Sequence, residues 1–176
     1  MSLARFSAAW REQYVSDASA QATASDGACV FCVLADAPVG ADTGVLWRSE
    51  TTYVVLNAFP YGSGHLLVLP VRHVATIEEM GEEEYVALAQ SVRRAAAALE
   101  AAYRPDGMNI GVNLGNAAGA GIPQHLHAHV LPRWNGDTNF MTSIAETRVL
   151  PESLSSTWRK VHAHLSDPPS AGASVD

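Results

Sequence analysis

Apolar and polar positions change period several times along this chain, and each change marks an element. Leu3, Phe6, Trp10 and Tyr14 recur near helical spacing, which predicts a short amphipathic helix over 3–15. Residues 16–27 are small and polar and read as a linker. The runs 44–49 (GVLWRS) and 52–57 (TYVVLN) predict two strands joined through Glu50 and Thr51. A turn-rich loop, 58–64, leads into a buried strand over 65–70 (HLLVLP). Thr76, with Glu79 three positions later, has the pattern of a capping box and predicts a short helix over 76–80. The longest helical segment is 82–103. It is acidic at its start, carries Arg93 and Arg94 later, and has an apolar stripe through Val86, Ala89, Val92, Ala96 and Leu99. Alternation over 108–114 predicts a strand, 115–121 a glycine/alanine loop, 125–132 another strand and 151–165 a C-terminal helix; the tail, 166–176, is expected to lack order. Strands gathered around one long helix argue for an α+β fold with an antiparallel sheet.

The remaining composition narrows the class. The chain has 176 residues, 48% hydrophobic and 16% charged, which suits one domain with a real core. No apolar run is long enough to span a bilayer, and the first twenty residues lack the apolar core of a secretory signal, so the expected compartment is the cytoplasm, with no membrane partner. Net charge is -7 and Lys160 is the single lysine, so there is no basic stripe for a nucleic-acid backbone. An anionic ligand would have to be held by backbone amides, imidazoles and a few arginines. Cys29 and Cys32 form a CxxC pair, a spacing that in a reducing compartment suggests a metal or redox pair more than a structural disulfide.

The most informative stretch is QHLHAHVLPR, 124–133. His125, His127 and His129 alternate with Leu126, Ala128 and Val130, so on a strand one face is imidazole and the other apolar. A row of imidazoles is poor core material but good chemistry, because a neutral imidazole is both a nucleophile toward phosphorus and a leaving group. The segment 113–122 is either a plain connection between strands or a cradle in which small residues let backbone N–H groups approach phosphate. There is no P-loop motif.

This stretch resembles the histidine triad (HIT) superfamily, whose pattern is His-φ-His-φ-His-φ-φ with φ apolar. The resemblance extends to Asn57 and to 64–70 (GHLLVLP) upstream, and to the strand at 108–114 before its small-residue loop, covering roughly 29–140. Residues beyond the triad, from Pro132 through Phe140 and 147–151, look like an actinobacterial diadenosine tetraphosphate phosphorylase-like group. The resemblance implies a five-stranded antiparallel sheet with one long helix, plus N- and C-terminal helices. The implied layout is an N-terminal helix and linker over 1–28, the HIT domain over 29–140, an extension with a helix over 141–165 and a tail over 166–176.

By the same resemblance His127 is the nucleophile, with His129 and His65 around the phosphate. Asn57, Asn113, Gly121, Ile122 and Gln124 become substrate-binding positions. Gly121 stands where the superfamily often has Gln, Ser or Thr, so a side-chain bond to the leaving group is missing or comes from Gln124. Trp134 either stacks on a base or packs in the core. Some bacterial members hold zinc with a similar CxxC, a histidine after the strand exit and the first triad histidine. Carried over, the ligands are Cys29, Cys32, His73 and His125, in a structural role. His162 and His164 read as surface residues. The implied activity is a nucleotidyl hydrolase or transferase on dinucleoside polyphosphates. The alternatives are a Hint-like adenosine phosphoramidase or a zinc-stabilised nucleotide-binding protein. The resemblance also implies a homodimer paired through the long helix and an adjoining strand.

Overall fold

The computed structural model describes residues 28–137 and 152–165. Five strands form one antiparallel sheet: β1 (Val45–Arg48), β2 (Thr52–Leu56), β3 (Leu66–Pro70), β4 (Gly107–Val112) and β5 (Ala128–Arg133), in the spatial order β1-β2-β3-β5-β4. Three helices accompany it: α1 (Val30–Asp36), α2 (Glu82–Tyr103) and α3 (Leu154–Leu165). The expected helix over 3–15, the linker, the segment 138–151 and the tail lie outside the described residues. Among the described residues no helix is long and apolar enough to cross a membrane.

Every residue of β2 and β3 is buried, because both faces of the sheet are covered. On one face Val54, Leu66, Val68, Ala128 and Val130 pack with Leu88, Ala95 and Leu99 of α2 and with Val161 and Leu165 of α3. On the other face Val45, Tyr53, Val55, Leu67 and Leu69 pack with Phe31 and Ala35 of α1. The register pairs Leu67 with His129, so His129 projects on this second face. Gly64 brings the chain into β3. Its φ is +78°, and a Cβ there would lie 2.8 Å from Cγ of Pro132 and close to Leu99 and Tyr103. Only glycine combines that conformation with so close an approach just before His65.

Several expectations need correction. The buried stripe of α2 is Leu88, Ser91, Ala95, Ala98 and Leu99, while Val86 and Ala89 are exposed. A serine disguised that face. Its Oγ lies 2.7 Å from Thr52 Oγ1 of β2, so the polar group is buried and satisfied. The expected helix over 76–80 is a turn in which Glu79 accepts from the Ala75 N–H, the back-bond of a helix start that propagates no further. The strand expected from His125 begins only at Ala128. His162 is half-buried rather than a surface residue: it stacks on Trp158 and its Nδ1 lies 2.9 Å from the Leu46 carbonyl, tying α3 to β1. Helix α1 was not foreseen, because seven residues are too short to show a period.

Candidate functional site

Two clusters of titratable side chains meet at His125. The first is a candidate metal centre of Cys29, Cys32, His73 and His125, whose ligand atoms all lie within 4.8 Å of one another. Local folding explains the convergence. Cys29 precedes α1 and Cys32 lies in its first turn. His73 follows β3, and the Leu126 N–H donates to the Val74 carbonyl at 2.6 Å, which clamps the segment carrying His125 beside it. Nδ1 of His125 is 3.6 Å from Cys29 Sγ and 3.7 Å from Cys32 Sγ, and His73 Nδ1 is 3.2 Å from Cys32 Sγ. The other nitrogen of His125 lies 3.0 Å from the Pro70 carbonyl. A carbonyl can only accept, so the proton sits on Nε2 and the lone pair of Nδ1 faces the thiols, the arrangement a metal ligand requires. Without a cation, burial and then Cys29 push the Cys32 thiol up to about 11. A cation between the sulfurs reverses that preference.

The second cluster is the row of histidines on the α1 side of the sheet. His127 Nδ1 lies 2.8 Å from the backbone oxygen of His125. By the same argument Nδ1 carries the proton, and Nε2, on the far side of the ring, carries the lone pair. Burial holds His127 below its ordinary pKa, so the ring is neutral at pH 7. His129 lies beside it, with ring centroids 5.1 Å apart and nearly perpendicular planes. Burial, and secondarily His127, lower His129 to about 4. His65 closes the row: its Nε2 is 2.9 Å from His129 Nδ1. His127 and His129 are therefore uncharged imidazoles, able to attack or to hydrogen-bond phosphate without first losing a proton.

The other expected residues are placed as follows. Asn57 ends β2 buried, with Nδ2 3.2 Å from His65 Nδ1 and Oδ1 accepting from the Phe59 N–H at 2.9 Å. Asn113, just past β4, reaches His129 Nε2 at 3.5 Å. Ile122 packs against the Phe31 cluster, and Gly121 and Gln124 are half-buried in the approach to His125. Trp134 follows β5 at its far end and meets Tyr103 of α2 edge-on, with centroids 5.9 Å apart. Five extended residues separate it from His129, roughly 16 Å, so the structure does not bring it to the histidines.

Two contributors were not read from the sequence. Phe31, between the two cysteines, has its ring 5.6 Å from His125 and 5.2 Å from His127. The signal was its position: with Cys29 and Cys32 turned toward one centre, the aromatic between them has to point elsewhere. Tyr61 stacks on His129 at 5.7 Å and lies 4.5 Å from His65. Gly111 pairs with His129 across β4 and β5, and a Cβ built on it would meet nothing within 4 Å, so the space beside His129 is open.

The chain is 42% identical over 115 residues to the AP-4-A phosphorylase of Mycobacterium tuberculosis, a match covering 65% of this chain and 59% of that protein. It is 33% identical over 100 residues to the asymmetrical bis(5'-nucleosyl)-tetraphosphatase of Schizosaccharomyces pombe, covering 57% and 53%. The chain thus spans less than two thirds of the length of these curated relatives. A Zn-bound histidine triad family protein from Mycobacterium smegmatis superposes with a TM-score of 0.63 at 31% identity, covering 79% of this chain and 94% of that one. The family model of the HIT domain matches residues 40–136, more than half of the sequence and the whole of the sheet, and the chain belongs to the HIT domain family.

Proposed function

We propose that the protein cleaves dinucleoside polyphosphates at an α-phosphate through a nucleotidyl-histidine intermediate on His127. The observation that supports this most is the His127 tautomer: Nδ1–H is committed to the His125 carbonyl, leaving Nε2 as a neutral nucleophile beside His129. Nε2 of His127 bonds to the α-phosphorus as the bridging P–O bond breaks, and the remainder of the substrate leaves with that oxygen. An acceptor oxygen then attacks the same phosphorus, the P–N bond breaks, and the imidazole is regenerated. His129 stands where it hydrogen-bonds the charge developing on the non-bridging oxygens. The names of the mycobacterial and yeast relatives support this substrate class.

The acceptor decides the products, and that makes the test direct. With diadenosine tetraphosphate, water as acceptor gives AMP and ATP, and inorganic phosphate gives ADP and ATP. Purified protein should give one of these pairs, identified by chromatography with and without added phosphate. No cleavage in either buffer, or cleavage of an adenosine phosphoramidate alone, would sink the proposal and favour the phosphoramidase alternative.

We also infer that the metal is zinc. Zinc bonds of about 2.3 Å to sulfur and about 2.0–2.1 Å to nitrogen make tetrahedral edges of roughly 3.3–3.8 Å. The sulfur–nitrogen separations of 3.6 and 3.7 Å match such edges and the one of 3.2 Å lies just below them, and two thiolates with two imidazoles suit zinc. Cys29, Cys32, His73 and His125 would hold it in a closed, four-ligand structural site. It would supply no open coordination position for substrate.

We infer a homodimer from the position of β4, which is an edge strand among the described residues. This edge strand exposes Ile110 (54%) and Val112 (36%), and an unpaired apolar edge invites another strand. Pairing of two β4 strands about a two-fold axis joins two five-stranded sheets into one. Light scattering on the full chain at micromolar concentration should give twice the monomer mass, and Ile110→Lys should halve it; a monomeric wild type rules the dimer out.

A further inference from the structure

We propose that the loop from Asn57 to Tyr61 is a positioning device that fixes the tautomers of His65 and His129, so that His129 presents a proton, not a lone pair, to the open side of the site. The argument starts from two backbone N–H groups, which can only donate. The Phe59 N–H donates to Asn57 Oδ1 at 2.9 Å, so the Asn57 amide is oriented with its Nδ2 facing His65, 3.2 Å from Nδ1. The Tyr61 N–H donates to the same Nδ1 at 3.0 Å. Two donors aimed at one ring nitrogen require that nitrogen to be an acceptor. The proton of neutral His65 is therefore on Nε2, where it faces His129 Nδ1 at 2.9 Å. That nitrogen must in turn accept, and the proton of neutral His129 is placed on its own Nε2.

The direction runs one way, from the loop backbone to the outermost imidazole. Protonating both nitrogens of either ring would set N–H against N–H at a hydrogen-bonding distance, so the chain also keeps the two rings uncharged. Nε2 of His129 is the end of the relay, 3.5 Å from the Asn113 side-chain amide and next to the space left by Gly111. With a proton on Nε2, the Asn113 amide must turn its oxygen toward the ring. Tyr61 adds a ring stacked on His129 at 21° between planes, which holds the imidazole in the plane the relay needs. A His129 Nε2–H can donate to a phosphate oxygen; the opposite tautomer would point a lone pair at it. Asn57 thus acts through His65.

The catalytic consequence rests on the reading under Proposed function, but the tautomers do not, and the experiment separates the two. In the full-length zinc-loaded protein labelled with nitrogen-15, long-range proton–nitrogen NMR spectra at pH 7 should show His65 and His129 both protonated at Nε2. Asn57→Asp is isosteric but turns an acceptor toward Nδ1. It should move the His65 proton to Nδ1 or charge the ring, shift His129 to the Nδ1–H form, and lower kcat about 100-fold with KM little changed. Asn57→Ala keeps the Tyr61 donor, so both tautomers should survive and kcat should fall less than about 10-fold. The order, with the isosteric variant worse than the truncation, is what a structural or hydroxyl-binding role does not produce. A wild-type spectrum with His65 or His129 protonated at Nδ1 overturns the proposal, and needs no variant to fold. So does an Asn57→Asp protein with normal kcat beside an Asn57→Ala protein with raised KM. Correct tautomers in a protein that cleaves no nucleotide would leave the relay standing and refute the function instead.

Discussion

His127→Ala is expected to lower turnover of diadenosine tetraphosphate by about 10⁴-fold or more, the scale seen when a covalent nucleophile is removed. The fold should survive. His127 lies ahead of β5 and outside the sheet ladder, and its ring covers Phe31 without being the pin of either core cluster. Nucleotide affinity should fall far less than turnover, because His65, His129 and Asn113 keep their places. The decisive measurement is a rapid-quench trap with substrate labelled in the α-phosphate: label should appear on wild-type protein and be absent from the variant. Turnover unchanged in His127→Ala would exclude the nucleotidyl-histidine route altogether.

Removal of the metal is expected to have the largest effect on stability. Elemental analysis of protein purified without chelator should find about one zinc per chain. Cys32→Ser leaves a weaker set of ligands on a first turn of α1 that has no side-chain cap. A loss of ~3 kcal/mol, in the upper range for single substitutions, corresponds to a Tm lower by about 6–12 °C for a chain of this size. Calorimetry with and without chelator should show the same fall in wild type, and none further in the variant. Below the melting range the variant should lose less than about 10-fold in kcat, since no cysteine touches the reacting row. Because the ligands bind as thiolates and neutral imidazoles, protons compete with zinc, and the Tm difference between loaded and stripped protein should shrink as the pH falls below 6. Metal-free protein as purified, with full stability, would refute the zinc assignment.

Much of this was written in the sequence, and unevenly so. Alternation around Leu126, Ala128 and Val130 identified the buried face even though regular strand begins only at Ala128. Period 2 in the side chains continues through Leu126, ahead of the regular strand. The bounds of α2 were legible because glycine stands before it and Pro105 after it, with Arg104 in the left-handed conformation closing the last turn. Its buried face was not legible, since Ser91 is polar and the four alanines at 95–98 look alike from every side. The candidate metal ligands were found through likeness to other chains rather than from spacing, since His73 and His125 are far apart in sequence and are brought together by the β3–β5 pairing and by the bonds from Leu126 to Val74 and from His125 to Pro70. Asn57 was singled out as a substrate-binding position, and the structure adds His65 as its neighbour. Nothing in its spacing says that its amide faces His65, because the Phe59 N–H that orients it belongs to the backbone.

His125 makes three contacts with three different parts of itself: Nδ1 toward the sulfurs, Nε2 to the Pro70 carbonyl, and its main-chain oxygen to His127. Only the last reaches the reacting row, and every amino acid owns that oxygen. In evolutionary terms, the side chain of the first histidine faces the candidate metal centre, and it meets the other histidines through its main chain. A lineage without the cysteines and His73 would lose one reason for that imidazole, its sulfur neighbours, and keep two others, the bond to the Pro70 carbonyl and the edge-on seat against Phe31.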